Sequence, residues 1–229
     1  VEVVIKGKGK NALGTEMMDF LLDRLKEAGD RPILLTGDGD AFSAGLNLKE
    51  VASLDGAQME AFLRKIDTLA EALYTYAGPT VALINGHAIA GGCVLALCCD
   101  YQVAVNDPKT RIGLNELALG AVFPPKILAI VRQRIPNQHA NRVLLGAELY
   151  SPEESLRLGL IDDISNDAPQ VARQRLSRLA SHPAKTYAAT KRALRTLPPD
   201  STIEEQFRVA IAQWTSPEVK QKLIDALKR

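Results

Sequence analysis

The chain alternates short β-branched apolar runs with helical patterns, and this alternation limits its architecture more than any other feature. Ile33 to Thr36 and Thr80 to Asn85 carry little charge, as strands buried on both faces require. Val1 to Lys6 and Tyr101 to Val105 read as further strands. Thr15 is placed to cap a helix with Met17, Met18, Leu21, Leu22, Leu25 and Ala28 at helical spacing, ended by Gly29. Residues 58–76 predict a long helix, and Gly91-Gly92 opens an apolar one over 93–99. Strand-to-helix units repeated in this way predict an α/β fold with non-antiparallel sheets.

After about residue 164 the pattern turns helical. Ser151-Pro152-Glu153-Glu154 is a capping box with Pro at the first helical position. Ser201 and Glu204 suggest a second box, opening a helix with Ile203, Phe207, Ala210, Ile211 and Trp214 on one face. Ser216-Pro217 starts a last helix. A soft boundary near Asn166 divides a core of residues 1–166 from a helical region of residues 167–229 that packs on the core or on a neighbouring subunit.

Composition narrows the function classes. With 28 basic and 27 acidic residues the net charge is +1, so no global field steers the chain onto nucleic acid or an anionic membrane. Cys93, Cys98 and Cys99 lie in one apolar run, and the three histidines are far apart. That spacing predicts neither a disulfide framework nor a metal site. The apolar runs are too short to span a bilayer. VEVVIKGKGK lacks the order of a signal peptide. A reducing compartment is expected: the cytoplasm of a bacterium, or a mitochondrial or peroxisomal matrix.

Three segments carry candidate chemistry. In AFSAGLNLK, residues 41–49, the small residues Ser43, Ala44 and Gly45 allow the backbone to approach a ligand. In NGHAIAGGCVLALCCD, residues 85–100, a strand runs through a turn and a Gly-Gly pair into an uncharged helix. The first helical amides there lack partners and face outward with the dipole behind them, a natural seat for an oxyanion. Close packing of a buried helix accounts for the glycines equally well. In IGLNELALGAVFPP, residues 112–125, Glu116 is the one charged group among apolar neighbours. It is either a solvent-facing helix residue or a base whose pKa burial raises.

Together the three segments resemble the crotonase (enoyl-CoA hydratase/isomerase) superfamily over nearly the whole chain. The resemblance implies a spiral of ββα turns followed by a helical C-terminal region that builds trimers, often paired into hexamers. It puts the two oxyanion amides on Leu46 in FSAGLNL and on Gly91 in AGGC. It implies that coenzyme A lies along the first loop, against Asn11, Ala12, Ser43, Ala44 and Gly45, with Lys10 and Lys49 near its phosphates. Phe123 is expected at the acyl pocket. His87, Asp100 and Asp162 read as structural, and Trp214 and Phe207 as core or subunit contacts.

Hydratases of this superfamily use two glutamates, the first in a GGCE motif. Here that position is Val94, and only the second acid is present, as Glu116. One base beside an oxyanion hole can move a proton from C2 to C4 of a 3-enoyl thioester without water. FSAGLNL, INGHAIAGGC, ALCCDY and IGLNELALG resemble the delta-3,delta-2-enoyl-CoA isomerases, with Asn47 standing where many relatives carry Asp. The expected activity is therefore double-bond isomerisation of an acyl-CoA thioester, with no cofactor beyond the substrate's own coenzyme A. The alternatives are a hydratase, hydrolase or lyase of the same superfamily, or a CoA-binding module without turnover.

Overall fold

Successive strands turn through sharp corners, and the corners stack. The computed structural model describes residues 1–228. After β1 (Glu2–Ile5) and a single turn, α1 (Lys8–Asn11), the helix α2 (Thr15–Ala28) leads to β2 (Ile33–Gly37). The chain then bends at once into the short β3 (Ala41–Ser43). The same step recurs from β4 (Thr80–Ile84) to β5 (His87–Ile89), and from β6 (Tyr101–Val105) to β7 (Ile112–Gly113). Each step puts one strand in each of two sheets, ordered β1-β2-β4-β6 and β3-β5-β7, and β8 (Asp163–Ser165) completes the first. Every strand pairing in both sheets is parallel. This is the α/β fold with non-antiparallel sheets that the alternation predicts, wound into the spiral that the family resemblance implies.

Two features of the corners hold the spiral in register. Asn85 accepts from the Gly37 amide at 3.0 Å and donates to the Gly39 carbonyl at 2.9 Å, bonding one corner to the next. A Cβ on Gly86 would lie 2.0 Å from the Asp40 carbonyl oxygen, so only glycine permits that approach. The three-residue strands β3 and β5 are too short to give a sequence signal of their own, and they were not among the predicted strands.

Side chains alternate across the larger sheet. Ile33, Leu35, Ala82 and Ile84 enter the main core, which they share with α4 (Gly56–Tyr74) and α5 (Gly91–Cys98). Leu34, Val81, Leu83 and Val103 face the other way, onto Ala168 and Ala172 of α9 (Ala168–Ala180). The boundary at residue 166 thus falls between β8 and a helix that covers the sheet, and α9 belongs to the core layer.

Local signals at helix starts are met unevenly. Ser151 caps α8 (Pro152–Leu158) by accepting from the Glu154 amide at 3.2 Å, and Ser216 caps α12 (Pro217–Ala226) at 3.3 Å. Two predicted caps are corrected. Gly14, not Thr15, precedes α2, and Glu50 from α3 (Leu48–Ser53) accepts the Thr15 amide at 3.1 Å. Ser201 and Glu204 form no capping box, because Asp200–Thr202 is a separate 3-10 turn and Ile203 precedes α11 (Glu204–Trp214). The acids there bind cations instead: Asp200 pairs with Lys126 at 2.7 Å, and Glu204 with Arg64 at 2.7 Å.

Beyond the spiral, α6 (Pro125–Arg134), α7 (Asn137–Gly146) and α10 (Ala184–Leu194) complete the chain. Half-buried Asp100 latches α10 to the sheet: it pairs with Lys191 at 2.9 Å and Arg195 at 2.7 Å, and accepts from the Tyr187 hydroxyl and the Thr80 amide at 2.8 Å each. Helices α11 and α12 fold back over α4, α3 and the segment around residue 117. No helix is long and apolar enough to cross a membrane among the described residues.

Candidate active site

The loop after β3 is built to hold its backbone rigid. Buried Asn11 donates to the carbonyls of Asp38 and Ala41 at 2.8 Å each and accepts from the Gly7 amide. Ser43, fully buried, donates to the Asn11 carbonyl at 2.8 Å and accepts from the Gly45 amide at 3.2 Å. Gly45 then takes φ +88°, a conformation that L side chains rarely adopt. The amides flanking this turn are used: Leu13 donates to the Gly45 carbonyl at 2.7 Å, and Asn47 to the Leu13 carbonyl at 3.0 Å. Among the described residues the Leu46 amide between them has no acceptor in the chain.

A second loop meets the first at Gly45 and Gly91. The Ala90 amide is held by the Gly113 carbonyl at 2.8 Å, and Ala90 then twists to φ 49°, ψ −120°. An alanine in that region is strained by about 1–3 kcal/mol. The twist starts α5 at Gly91, whose amide, at the first helical position, has no intrahelical partner. Gly91 lies against Leu13, Leu46 and Gly45. Gly92 has the other role considered for this pair, since a Cβ there would sit 2.3 Å from the Ser43 carbonyl oxygen. One glycine admits close packing, and the other presents an amide.

Leu46 and Gly91 both line a cavity of about 150 Å³. Its lining includes Ala44 and Leu46 from the first loop, Ala90 and Gly91 from the second, and Val94 one turn into α5. Leu63 and Ile66 of α4, Phe123, and Ile127 of α6 add apolar wall. Among the described residues Glu116 is the one ionisable residue on that lining. It begins a 3-10 turn, Glu116–Leu119, ended by Gly120 at φ 75°. Its side chain is buried, and its Oε2 has no hydrogen-bond partner. Burial in this apolar site pushes the carboxyl up from 4.5 to about 8, opposed in part by its own backbone amide. A carboxyl held so is a proton acceptor and donor near neutral pH.

Other candidates lie elsewhere. Lys10 is exposed and pairs with Asp40 at 3.3 Å, and Lys49 is exposed on α3. Asn11, Ala12, Ser43, Gly45 and Lys49 are not on the cavity lining, whereas Ala44, Leu46, Gly91 and Phe123 are. Asn47 caps α3 through Glu50. His87 accepts from the Arg111 amide at 3.0 Å, and Asp162 from the Gln102 amide at 2.9 Å, so both fix strands. Much of the lining lies outside the predicted set, including Leu63, Ile66, Asn115, Trp214 and Ala226. Asn115 could have been found from its place beside Glu116. Trp214 and Ala226 reach the cavity through the docking of α11 and α12, which no local pattern encodes.

Comparison with known proteins adds the decisive observation: the sequence model of enoyl-CoA hydratase/isomerase matches residues 3–224. The chain belongs to that family. The mitochondrial enoyl-CoA delta isomerase 1 of Mus musculus is 33% identical over 203 residues, covering 86% of this chain and 70% of that protein. The 2,3-dehydroadipyl-CoA hydratase of Escherichia coli K12 is 30% identical over 192 residues, covering 81% of this chain and 74% of that one. Among solved structures, human mitochondrial delta3-delta2-enoyl-CoA isomerase superposes with a TM-score of 0.90 at 26% identity, covering 100% of this chain and 93% of that one. An enoyl-CoA hydratase from Thermoplasma volcanium gives 0.76 at 26% identity, covering 99% and 92%. The family and its spiral fold are thereby established, and this member is an enzyme of the enoyl-CoA hydratase/isomerase group.

Proposed function

We propose that this enzyme is an enoyl-CoA delta-isomerase, converting 3-enoyl-CoA to 2-trans-enoyl-CoA. The observation that carries the reading is the solitary acid: Glu116 lines the cavity, and apolar Val94 stands where a second carboxylate would hold water. The thioester carbonyl is placed on the amides of Leu46 and Gly91. The Glu116 carboxylate takes a proton from C2, the electron pair moves into a dienolate, and its negative charge rests on the thioester oxygen. The protonated Glu116 then returns the proton at C4, and the double bond settles between C2 and C3. Removing one such amide donor typically costs about 3–4 kcal/mol of transition-state stabilisation. An apolar wall keeps water from the dienolate. No step uses a metal or a cofactor beyond the coenzyme A of the substrate.

Coenzyme A is placed along the Asn11–Ala12 and Ser43–Gly45 segments, with Lys10 and Lys49 toward its phosphates. Those two lysines are exposed and so can meet a phosphate at the surface. A homotrimer or hexamer is part of the same proposal, supported by the exposed Leu145 and Leu194, and light scattering tests it.

The test is a 3-enoyl-CoA assay with wild type and Glu116→Gln. Conversion by wild type and a loss of at least about a hundredfold in the variant are expected. Equal rates would sink the proposal. The alternative, hydration or hydrolysis of the thioester, is favoured by relatives named as hydratases. Product analysis separates them, since a 3-hydroxyacyl or free-acid product belongs only to the alternative.

A further inference from the structure

We infer that Trp214 sets the length of acyl chain this site accepts. This rests on reading the cavity as the acyl compartment of a thioester site. With the carbonyl on Leu46 and Gly91, the chain beyond it has only the apolar remainder of the lining to run along. Leu63, Ile66, Phe123, Ile127 and Trp214 are its larger side chains from the helices and the segment after Glu116.

Trp214 differs from the others because it comes from the C-terminal region and is fixed there at several points. Its indole is 3% exposed, and its Nε1 donates to the Val122 carbonyl at 2.8 Å. The preceding residue, Gln213, donates to the Gly120 carbonyl at 3.2 Å. At the other end of α11, Glu204 pairs with Arg64 of α4 at 2.7 Å, and the same guanidinium stacks 4.5 Å over Phe207. The indole therefore cannot swing aside without breaking its bond to the segment that follows Glu116. It is a wall that a longer chain has to displace.

The size of the compartment gives the limit. A cavity of about 150 Å³ holds a group of roughly benzene size, or about six carbons. Each methylene that finds apolar wall tightens binding by about fourfold. A chain that meets the indole gains nothing further, or loses affinity by forcing α11 outward.

The experiment measures dissociation constants of saturated acyl-CoAs, from four to sixteen carbons, by calorimetry. Wild type is expected to tighten by about fourfold per methylene up to about six carbons and then to level off or weaken. Trp214→Ala should carry the tightening several carbons further. Trp214→Phe, which keeps an aromatic wall without the indole N–H, should hold the break near its wild-type place. Trp214→Leu, the gentler truncation should the alanine variant fail to fold, should give an intermediate extension. Continuous tightening of wild type to sixteen carbons, an unmoved break in the folded truncations, or no acyl-CoA binding at all would overturn the inference. A wild type that shows the break but does not isomerise 3-enoyl-CoA leaves this inference standing and removes the proposed function.

Discussion

Gly45 and Gly91 approach so closely that a Cβ on Gly45 would lie 3.3 Å from the Gly91 amide nitrogen and 2.7 Å from the Ile89 carbonyl oxygen. Two loops from different turns of the spiral thus meet backbone to backbone beside Leu46 and Gly91. Gly45→Ala would meet both this crowding and an unfavourable φ of +88°. We expect the variant to fold with lower stability, by about 1–3 kcal/mol, and to lose about a hundred- to a thousandfold in kcat/KM. Steady-state kinetics beside thermal melts check this. Wild-type rates would show that the amide pair is not the oxyanion site.

Glu116 must be ionised to accept a proton. With its carboxyl raised to about 8 by burial, log kcat/KM should rise with unit slope as pH increases and flatten above about 8. A pH profile from weakly acid to alkaline buffer measures it. A break near the ordinary glutamate value of 4.5 would mean that another group limits the rate.

The same shift bears on stability, with a definite sign. Below the unfolded value of 4.5 Glu116 is protonated in both states, and stability does not depend on it. Between 4.5 and about 8 the folded chain keeps a proton that the unfolded chain has lost, so stability falls as pH rises through this window and is level above it. Glu116→Gln should therefore stabilise the protein by on the order of 2–4 kcal/mol at about pH 9, and hardly at about pH 4. Denaturant titrations at the two pH values decide it, and an equal effect at both would contradict the assignment.

Asp100 lies between two buried cations, Lys191 and Arg195. Asp100→Ala leaves both unpaired and removes the acceptor for Tyr187. A loss of about 3–5 kcal/mol is expected, read as a fall in denaturant midpoint, and the folded fraction should keep its catalytic activity. A change below about 1 kcal/mol would show that the latch is solvated rather than buried.

Much of the spiral was legible in the chain, because strands buried on both faces leave apolar runs and helices leave caps and periodicity. Tyr101–Val105 matches β6 residue for residue, and Ser151 and Ser216 cap where they were expected to. What escaped depends on distance. Strands β3 and β5 have three residues each and are defined by pairing with each other, not by a pattern. Ser201 and Glu204 have the spacing of a capping box, yet cations from α4 and α6 draw Glu204 and Asp200 away. At the site, Glu116 and the Gly-Gly turn could be picked out because both sit in short local motifs. Whether Glu116 faces solvent or an apolar cavity cannot be read locally, since the residues that share its cavity come from elements far apart in the chain, and α12 packs on its turn. Trp214 was rightly read as buried, but its place on the cavity follows from a long-range hydrogen bond to Val122.

The cavity wall at Trp214 is made from the last part of the chain, long after Leu46, Gly91 and Glu116 have been synthesised. On a translating ribosome the spiral can form with Leu46, Gly91 and Glu116 in place while the cavity is still open to water. A protein cut before Glu204 would then keep Glu116 and lose part of the enclosure that raises its basicity. Competence would then arrive with α11 and α12, which close over a site that the spiral has already laid out.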